Sequence, residues 1–249
     1  MLKRERQAYI LQQVNIHNKV LSATLSNEIA VSEDTIRRDL QELSAFGKLV
    51  KVHGGALSRS LSRGVMPAQT VYAQQLKKII AQKAIGLIQN GMFVLTGGGT
   101  TIIELAKALP AELMATFISG SIPAISEYMQ HPNIEVIVLG DKLSKSSQIT
   151  TGADAMARIK TLNADCCFLG VNALNLTEGI TDNDWDVVQL KQQMILSSKK
   201  LICLTISEKL NSLQPIHVCD AAKIDVLVTE LEPTDVMLRP YIEAGIHVI

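Results

Sequence analysis

The chain lacks the apolar segment that a membrane protein needs, since no hydrophobic run approaches the roughly 20 residues that span a bilayer. Its first residues, MLKRERQAYILQQV, contain neither a secretory apolar core nor a cleavage site. The four cysteines lie in apolar runs without the C-x-x-C or Cys/His spacing of metal sites, which favours reduced, buried thiols. We therefore expect a cytoplasmic protein with no membrane contact, no metal and no cofactor.

The sequence also lacks net charge, with 24 Lys and Arg against 24 Asp and Glu, but these charges are unevenly distributed. Residues 1–63 contain ten basic and six acidic side chains, whereas residues 64–249 contain fourteen and eighteen. The asymmetry favours contact with a polyanion through the first part only. Hydrophobic residues make up 47% of the chain, which allows a sizeable core and argues against global disorder.

Three short helices are predicted near the N-terminus from the spacing of apolar residues. The apolar positions are Ala8, Ile10, Leu11 and Val14 in the first helix, Leu21, Leu25 and Ile29 in the second, and Ile36, Leu40 and Leu43 in the third. Ser32 can cap the third helix, and Glu33 and Asp34 in its first turn favour the helix dipole. Gly47 is expected to end this helix.

The third helix predicts a DNA-reading element, because a helix-turn-helix motif places its last helix in the major groove. Its outward positions are Ser32, Asp34, Thr35, Arg37, Arg38 and Gln41. The following KLVKVHGGA predicts a β-wing, in which Lys51 and His53 can reach phosphates. The two arginines alone could merely solvate a helix surface, but the order helix, turn, capped helix and basic wing favours recognition. Whether an arginine grips a guanine edge or a phosphate stays open.

The stretch VSEDTIRRDLQELSAFGKLVKVHGGA resembles the signature of the DeoR family of bacterial transcription regulators, with TIRRDL and HGGA at the expected spacing. The resemblance covers nearly the whole chain. It implies an N-terminal winged helix-turn-helix and a C-terminal sensor domain, which typically binds a phosphorylated sugar or related metabolite. It also implies a repressor that forms oligomers.

Residues 58–69 contain Ser, Arg, Gly and Pro without periodicity, so we predict a linker between a winged helix-turn-helix domain, residues 1–57, and an effector-sensing domain, residues 70–249. Strand and helix patterns alternate in the second domain, which predicts an α/β fold with a mainly parallel sheet. The predicted strands are Phe93–Leu95, Thr116–Ile118, Val136–Leu139, Cys166–Leu169, Leu201–Leu204, Val226–Val228 and a last one in GIHVI. The predicted helices are Val71–Gln89, Ile102–Ala108, Ile122–Met129, Ala153–Thr161, Val187–Ser198 and Thr234–Ala244, the last containing Pro240.

Four segments are expected where strands end, and helix N-termini at that edge of a sheet bind anions. The first, LTGGGTTIIELA, combines glycines that admit an anion to the backbone with two hydroxyls, although a plain tight turn is the alternative. The other three are effector loops or ordinary polar loops, and the resemblance places Lys191 at a basic ligand position. The predicted effector-binding residues are Gly97, Gly98, Gly99, Thr100, Thr101, Ser119, Ser121, Lys142 and Lys191.

The chain departs from the family pattern at several ligand positions. Gly97 stands where the resemblance implies an aspartate, and Val187 where it implies a glutamate. A later D-x-S-K becomes residues 205–208, with Lys209 one position beyond. Asp141 replaces a glycine and is expected to repel a nearby phosphate. Either the effector differs and is less hydroxylated, or the pocket has decayed.

The acidic segment DNDWD has aspartates at alternate positions, as calcium-binding EF-hand loops do. Val187 and Gln193 stand where that loop needs Gly and Glu, so a solvated acidic loop is the better interpretation. Trp185 can pack in the core or close a pocket, and we favour packing.

Three functions remain as hypotheses. The first is a non-enzymatic transcription regulator, with double-stranded operator DNA and a small phosphorylated effector as partners, acting as a homo-oligomer. The second is a regulator whose sensor has decayed and is controlled by a protein partner or by abundance. The third is an isomerase acting on sugar phosphates, which the absent carboxylates disfavour because such chemistry needs a positioned base.

Overall fold

The computed structural model describes residues 1–58, 71–145 and 147–249, which divide into two compact units, residues 1–72 and residues 73–249. Apart from Ser58, the predicted linker lies outside the described residues. Within the described ranges, no helix has the length and apolar character required to cross a membrane.

The first unit is a winged helix. Its elements are α1 (Lys3–His17), β1 (Lys19–Leu21), α2 (Ser22–Ile29), α3 (Glu33–Ala45), β2 (Val50–Val52) and β3 (Gly55–Leu57). The strands form an antiparallel sheet in the order β1-β3-β2. The predicted stripe of α3 is buried, together with Ile10 and Val14 of α1, whereas Ala8, which was predicted on the same apolar side of α1, is exposed.

The second glycine of the HGGA motif lets the sheet of the first unit close. Gly55 opens β3, and a Cβ at this position would collide with the carbonyl oxygen of Val20 in β1. Gly54, with a φ of 75°, makes the preceding turn of the wing. The motif is therefore explained by backbone geometry.

A buried ion pair holds α3 against α1. Arg6 Nε lies 2.5 Å from Asp39 Oδ2, and the Asp39 side chain is only 2% exposed. Gln7 donates to both Asp39 and Glu42, and Lys3 donates to Glu42 at 2.7 Å. The hydrogen bond from Arg6 to Asp39 raises the pKa of Arg6, although partial burial acts to lower it. This network fixes the orientation of α3.

The second unit is an α/β domain. Its elements up to the middle of the unit are α4 (Gln74–Ile85), β4 (Phe93–Thr96), α5 (Thr100–Ala108), β5 (Thr116–Ser119), α6 (Ile122–Tyr128), β6 (Glu135–Val138), β7 (Lys142–Ser144), β8 (Ile149–Thr151), α7 (Ala153–Lys160) and β9 (Cys166–Gly170). The remainder are β10 (Ala173–Asn175), β11 (Gly179–Asp182), α8 (Trp185–Leu196), β12 (Leu201–Leu204), β13 (Ile216–Cys219), β14 (Val226–Val228), α9 (Arg239–Glu243) and β15 (His247–Val248), with short 3-10 helices at Ser207–Lys209 and Ala221–Lys223.

Seven parallel strands form the central sheet, in the order β15-β14-β12-β9-β4-β5-β6. These are the seven predicted strands, so the α/β class and the parallel sheet are confirmed. The chain order reverses between β4 and β9, and ligands of open α/β sheets bind in the crevice at such a switch point. The predicted helix Thr234–Ala244 was too long, and the observed helix spans Arg239–Glu243, because a proline such as Pro240 fits only the first turn of a helix.

The four cysteines are buried, free thiols. Burial raises the pKa of all four, so they stay protonated and unreactive at neutral pH. Their prediction as reduced core residues is confirmed.

Candidate functional site

The predicted recognition helix begins at a capped turn. Ser32 Oγ accepts a hydrogen bond from the Thr35 amide at 3.2 Å and lies 2.8 Å from Thr35 Oγ1. The predicted cap is confirmed. The two hydroxyls predicted to contact DNA hydrogen-bond each other in the free protein, and the one that accepts this bond keeps its own proton for a base or a phosphate.

Both arginines of α3 pair with acids one turn earlier. Arg37 Nη2 lies 2.7 Å from Glu33 Oε1, and Arg38 Nη2 lies 2.7 Å from Asp34 Oδ2. The Arg38 side chain is 80% exposed, so water screens its pair and the guanidinium remains available to a stronger partner. Asp34 therefore orients Arg38 across the exposed face of α3.

The wing is connected to α3 through a side-chain hydrogen bond. Lys51 Nζ in β2 donates to Gln41 Oε1 in α3 at 2.7 Å. His53 is exposed in the turn that joins β2 to β3. The described residues of the first unit therefore present Arg37, Arg38, Gln41 and Lys51 as exposed polar groups on the helix and its wing.

In the second unit the glycine run lies at the switch point of the sheet. The Gly97 amide donates to the carbonyl of Phe168 in β9 at 3.0 Å. A Cβ on Gly170, at the end of β9, would lie 2.9 Å from the Gly98 carbonyl oxygen, so the two segments approach closely. Gly99 precedes α5 with a φ of 102°, and the N-terminus of α5 therefore faces the carboxyl edge of β4 and β9.

The hydroxyl residues predicted for this site occupy different environments. Thr100 and Thr101 are buried in the first turn of α5. Ser119 Oγ donates to the Thr96 carbonyl at 3.0 Å and accepts from the Ser121 amide at 3.2 Å, so it fixes the turn after β5. Lys142 is exposed on β7, in a separate two-stranded sheet.

Lys191 lies on α8, and its buried ammonium contacts the end of β9. Its Nζ lies 2.8 Å from Asp182 Oδ2 and 3.0 Å from the carbonyl oxygen of Gly170. Burial by itself would raise the pKa of Asp182, but the Lys191 ammonium and hydrogen bonds to the carboxylate lower it overall. Asp182 is thus the carboxylate that keeps a charged lysine at the switch point.

Two expectations for the acidic segment were wrong. Asp182 ends β11 and is 5% exposed, because its partner Lys191 compensates its charge, so this aspartate is not solvated. Trp185 is 63% exposed at the start of α8 and does not pack in the core. Asp184 accepts a hydrogen bond from Ser147 Oγ at 2.7 Å, which ties α8 to the segment between β7 and β8.

Asp141 binds backbone amides at the start of α7. Its carboxylate accepts hydrogen bonds from the amides of Lys142 and, at 3.1 Å, of Asp154 in the first turn of α7. A Cβ at Gly152 would collide with this carboxylate. Asp141 therefore stabilises the N-terminus of α7, which leaves its charge compensated by backbone dipoles.

Two buried lysines are not among the predicted site residues, although Lys209 was noted beside the D-x-S-K position. Lys209 Nζ donates to the carbonyl of Val171, directly beyond β9, at 3.2 Å. Burial lowers its pKa to about 7, with Lys77 and Lys191 contributing. Burial likewise lowers the pKa of Lys77, on α4, to about 8, against the opposing charges of Glu104 and Glu208.

The chain does contain a signal for each lysine. Lys77 interrupts a helical stripe of apolar residues formed by Ile80, Ala81 and Ala84, so it occupies a core-facing position. Lys209 follows the segment that corresponds to D-x-S-K by one residue. Glu104, also missed, is 3% exposed and accepts from Gln74 and Lys107.

Comparison with known proteins identifies relatives over both units. Residues 6–61 match the family model of the DeoR-like helix-turn-helix domain, and residues 73–231 match that of the DeoR C terminal sensor domain. The HTH-type transcriptional regulator GolR of Listeria innocua is 28% identical over 246 residues, which cover 98% of this chain and 97% of that protein.

Two proteins of Bacillus subtilis are similar over comparable lengths. The HTH-type transcriptional regulator YulB is 31% identical over 241 residues, covering 95% of this chain and 93% of its own. The HTH-type transcriptional repressor GlcR is 28% identical over 239 residues, covering 94% and 90%. Among solved structures, ribose 5-phosphate isomerase A of Methanocaldococcus jannaschii superposes with a TM-score of 0.41 at 19% identity, covering 55% of this chain and 54% of that one.

Proposed function

The chain belongs to the DeoR family of transcriptional regulators, and from this premise we propose that it represses genes of carbohydrate or related metabolism. As a family member it is a DNA-binding regulator with a sensor domain. In our proposal α3 and the wing bind operator DNA, and a small phosphorylated metabolite at the switch point of the sensor sheet modulates that binding.

The observation that supports DNA binding through α3 is the exposed basic surface of the winged helix. Arg37 and Arg38 project from the capped helix, and Lys51 extends from β2 to Gln41. A helix of this kind reads base edges from the major groove, while wing lysines hold phosphates. The weak surface pairs of the arginines can be exchanged for guanine or phosphate oxygens.

An anionic effector is supported by the chemistry of the switch point. The glycine loop brings backbone amides and the N-terminus of α5 to the carboxyl edge of β4 and β9. The carbonyls of Gly170 and Val171, at the end of β9, hold the ammonium groups of Lys191 and Lys209. Amides and lysines together favour a phosphate group.

A decayed sensor is the second candidate, and the observation that favours it is the replacement of a ligand carboxylate. Gly97 stands at the aspartate position, and a Cβ there would lie 3.0 Å from Leu169 Cδ2. The space beside the loop is thus filled by a buried leucine. A protein partner would then control the regulator.

Isomerase activity has little support. Asp182 is engaged by Lys191, and Glu104 by Lys107 and Gln74, so neither carboxylate is positioned as a base.

The proposal includes a homo-oligomer in the cytoplasm. Each chain carries one recognition helix, and paired half-sites on DNA require two such helices at a fixed separation. An effector that binds one arrangement of the oligomer better than another would shift operator affinity.

The experiment that tests the proposal measures binding of the full chain to its own promoter region, with and without phosphorylated sugars and their unphosphorylated parents. We expect specific binding that a phosphorylated compound weakens. Specific binding that no compound alters would favour the decayed sensor, and absence of specific binding would refute the regulator we propose.

A further inference from the structure

The strand β6 forms one edge of the central sheet, and its outer side is open. Within the described ranges, β6 pairs with no strand except β5. The amides of Glu135 and Leu139 donate to carbonyl oxygens at or next to the two ends of β5, at 3.1 Å and 2.8 Å. Because backbone groups alternate in direction along a strand, the N–H and C=O groups of Val136 and Val138 point away from the sheet.

The side chains of β6 do not protect this edge. Sheets usually blunt an open edge with lysine, proline, a bulge or a very short strand. The sequence of β6 is EVIV, it pairs with β5 in unbroken register, and Ile137 and Val138 are exposed. The opposite edge strand, β15, contains only His247–Val248, so it offers little backbone for pairing. Of the two edges, β6 is therefore the one suited to accept a further strand.

The open groups of β6 are complementary to a second copy of the same strand. If two β6 strands meet antiparallel around a two-fold axis at Ile137, each Val136 lies opposite the partner's Val138. Such a pair exchanges both of its backbone hydrogen bonds in an antiparallel sheet. Ile137, whose own backbone groups point towards β5, then faces the partner's Ile137 at a position where opposite side chains are close. Every outward backbone group of β6 gains a partner in this arrangement.

The two ends of β6 are also complementary in charge. Glu135, at its start, is exposed and acidic, whereas Lys142, on β7 shortly beyond its end, is exposed and basic. Asp141 lies before Lys142, but backbone amides compensate its carboxylate. An antiparallel arrangement brings the acidic end of one strand to the basic end of the other, whereas a parallel arrangement would bring like charges together.

Exposed apolar side chains beside β6 supply further contact area. Met129, in the connection from α6, is 70% exposed, and Leu143 on β7 is also exposed. The antiparallel arrangement brings the Met129 end of one copy towards the Leu143 end of the other. A stable interface buries about 1,200–2,000 Å² in total, which four paired residues alone do not reach. The contact therefore extends to these flanking side chains.

We propose that β6 is the surface through which two copies of this chain associate, antiparallel around Ile137, so that their central sheets become one continuous sheet. This inference rests on the homo-oligomer of the proposed function, and it names the surface that forms it. Such a dimer supplies the two recognition helices that paired half-sites on DNA require.

A single cysteine tests the alignment of the two strands. Ile137→Cys places two thiols opposite each other on the two-fold axis, where a cross-strand pair is close enough to form a disulfide. Air oxidation of the full chain with a copper catalyst should convert most of it into a covalent dimer on a non-reducing gel. Val236→Cys replaces a valine that is 82% exposed between β14 and α9, and it should give no such dimer. The four native thiols are buried and do not compete.

Light scattering on a size-exclusion column measures the association itself. Val138→Lys buries a charge in the contact, so it should raise the dissociation constant about tenfold or more and halve the mass at intermediate concentration. Val236→Lys makes the same change at the control position and should leave the mass unchanged. Val136→Pro removes an outward amide that the single chain does not use, so it should fold but lose the contact. Circular dichroism verifies the fold of each variant, and Val136→Pro carries the test if Val138→Lys does not fold.

Three results would overturn the inference. The unmodified chain could be a monomer at every concentration, which would leave the edge to a strand of another protein. Ile137→Cys could fail to form a covalent dimer. The oligomer could keep its mass in both Val138→Lys and Val136→Pro, which would place the contact on another surface. The promoter experiment decides operator binding separately, and a chain that cross-links at Ile137 but ignores its promoter would refute the regulator and leave this interface standing.

Discussion

The ammonium of Lys51 on the wing lies 2.7 Å from the amide oxygen of Gln41 on α3. Both side chains are exposed, so the contact can be exchanged when DNA arrives. It also leaves the amide nitrogen of Gln41 free of Lys51, since only the oxygen accepts from the ammonium. The pair therefore joins, in one winged helix, the helix position that we propose reads a base and the wing position that we propose contacts a phosphate.

Replacement of Lys51 tests this division of roles. Lys51→Met should weaken binding to specific and unrelated DNA about equally, because a phosphate contact carries no sequence information. The slope of log K against log salt should become shallower by about 1. Filter binding over a salt series measures both, and a loss confined to the specific site would mean that Lys51 reads bases.

Arg38 is expected to carry sequence specificity. Arg38→Ala should weaken binding to the operator by about 1–3 kcal/mol if the guanidinium reads a guanine. Arg158→Ala, which removes an exposed arginine from α7 in the second unit, is the control. Competition against operators with single base changes decides the matter, because equal loss on every sequence would make Arg38 a phosphate contact.

The stability of the first unit is predicted to depend on the pair of Arg6 and Asp39. Arg6→Ala leaves a buried carboxylate without its cation and should lower the free energy of unfolding by about 3 kcal/mol, the lower end for such losses, since Gln7 still donates to Asp39. Arg4→Ala, exposed on the same helix, should have little effect.

Two signals separate the units in a urea titration. Trp185 belongs to the second unit, so its fluorescence reports on the sensor, whereas far-UV circular dichroism reports on both units. We expect Arg6→Ala to shift only the dichroism transition. A parallel shift of the fluorescence transition would show that the pair is not local to the first unit.

The resting protein should gain stability from removal of the Lys209 charge. The folded pKa of about 7 lies below that of an unfolded lysine, so the unfolded chain holds more protons above pH 7 and stability rises there with pH. Lys209→Met has no titrating group at this position, so this pH-dependent contribution to its stability is absent. In anion-free buffer its melting temperature should exceed that of the unmodified chain most at acidic pH, and an advantage that grows with pH would contradict the burial of a charged lysine.

The predicted strands and helices agree with the observed ones to different degrees. The strands Leu201–Leu204 and Val226–Val228 were predicted with their observed limits, because strands buried on both faces are continuous apolar runs. The hairpin of β7 and β8 was missed, since three-residue strands containing Lys142 and Thr151 have no such run. Helix Val71–Gln89 was predicted too long, and the observed α4 spans Gln74–Ile85.

The candidate site was less accessible to prediction than the fold. The N-terminus of α5 could be found because glycines and threonines mark a strand-to-helix turn. The burial of Lys77 and Lys209 depends on which elements pack over them, and a lysine on a short helix is usually exposed. The compensation of Asp182 by Lys191 likewise arises from the packing of α8 against β11, which brings together two residues nine positions apart in the sequence.

The glycine loop gives a final prediction, on the tolerance of two adjacent positions to a methyl group. A Cβ at Gly97 would lie 3.0 Å from Leu169 Cδ2, and Leu169 is fully buried, so Gly97→Ala should cost about 1–3 kcal/mol of unfolding free energy through overpacking. At Gly98 the nearest atom is Ile149 Cδ1 at 3.5 Å, an ordinary contact, so Gly98→Ala should fold almost as well. Chemical denaturation followed by Trp185 fluorescence measures both. Equal costs at the two positions would mean that Leu169 moves aside freely, in which case the aspartate of the family could be restored at Gly97 without rebuilding the core.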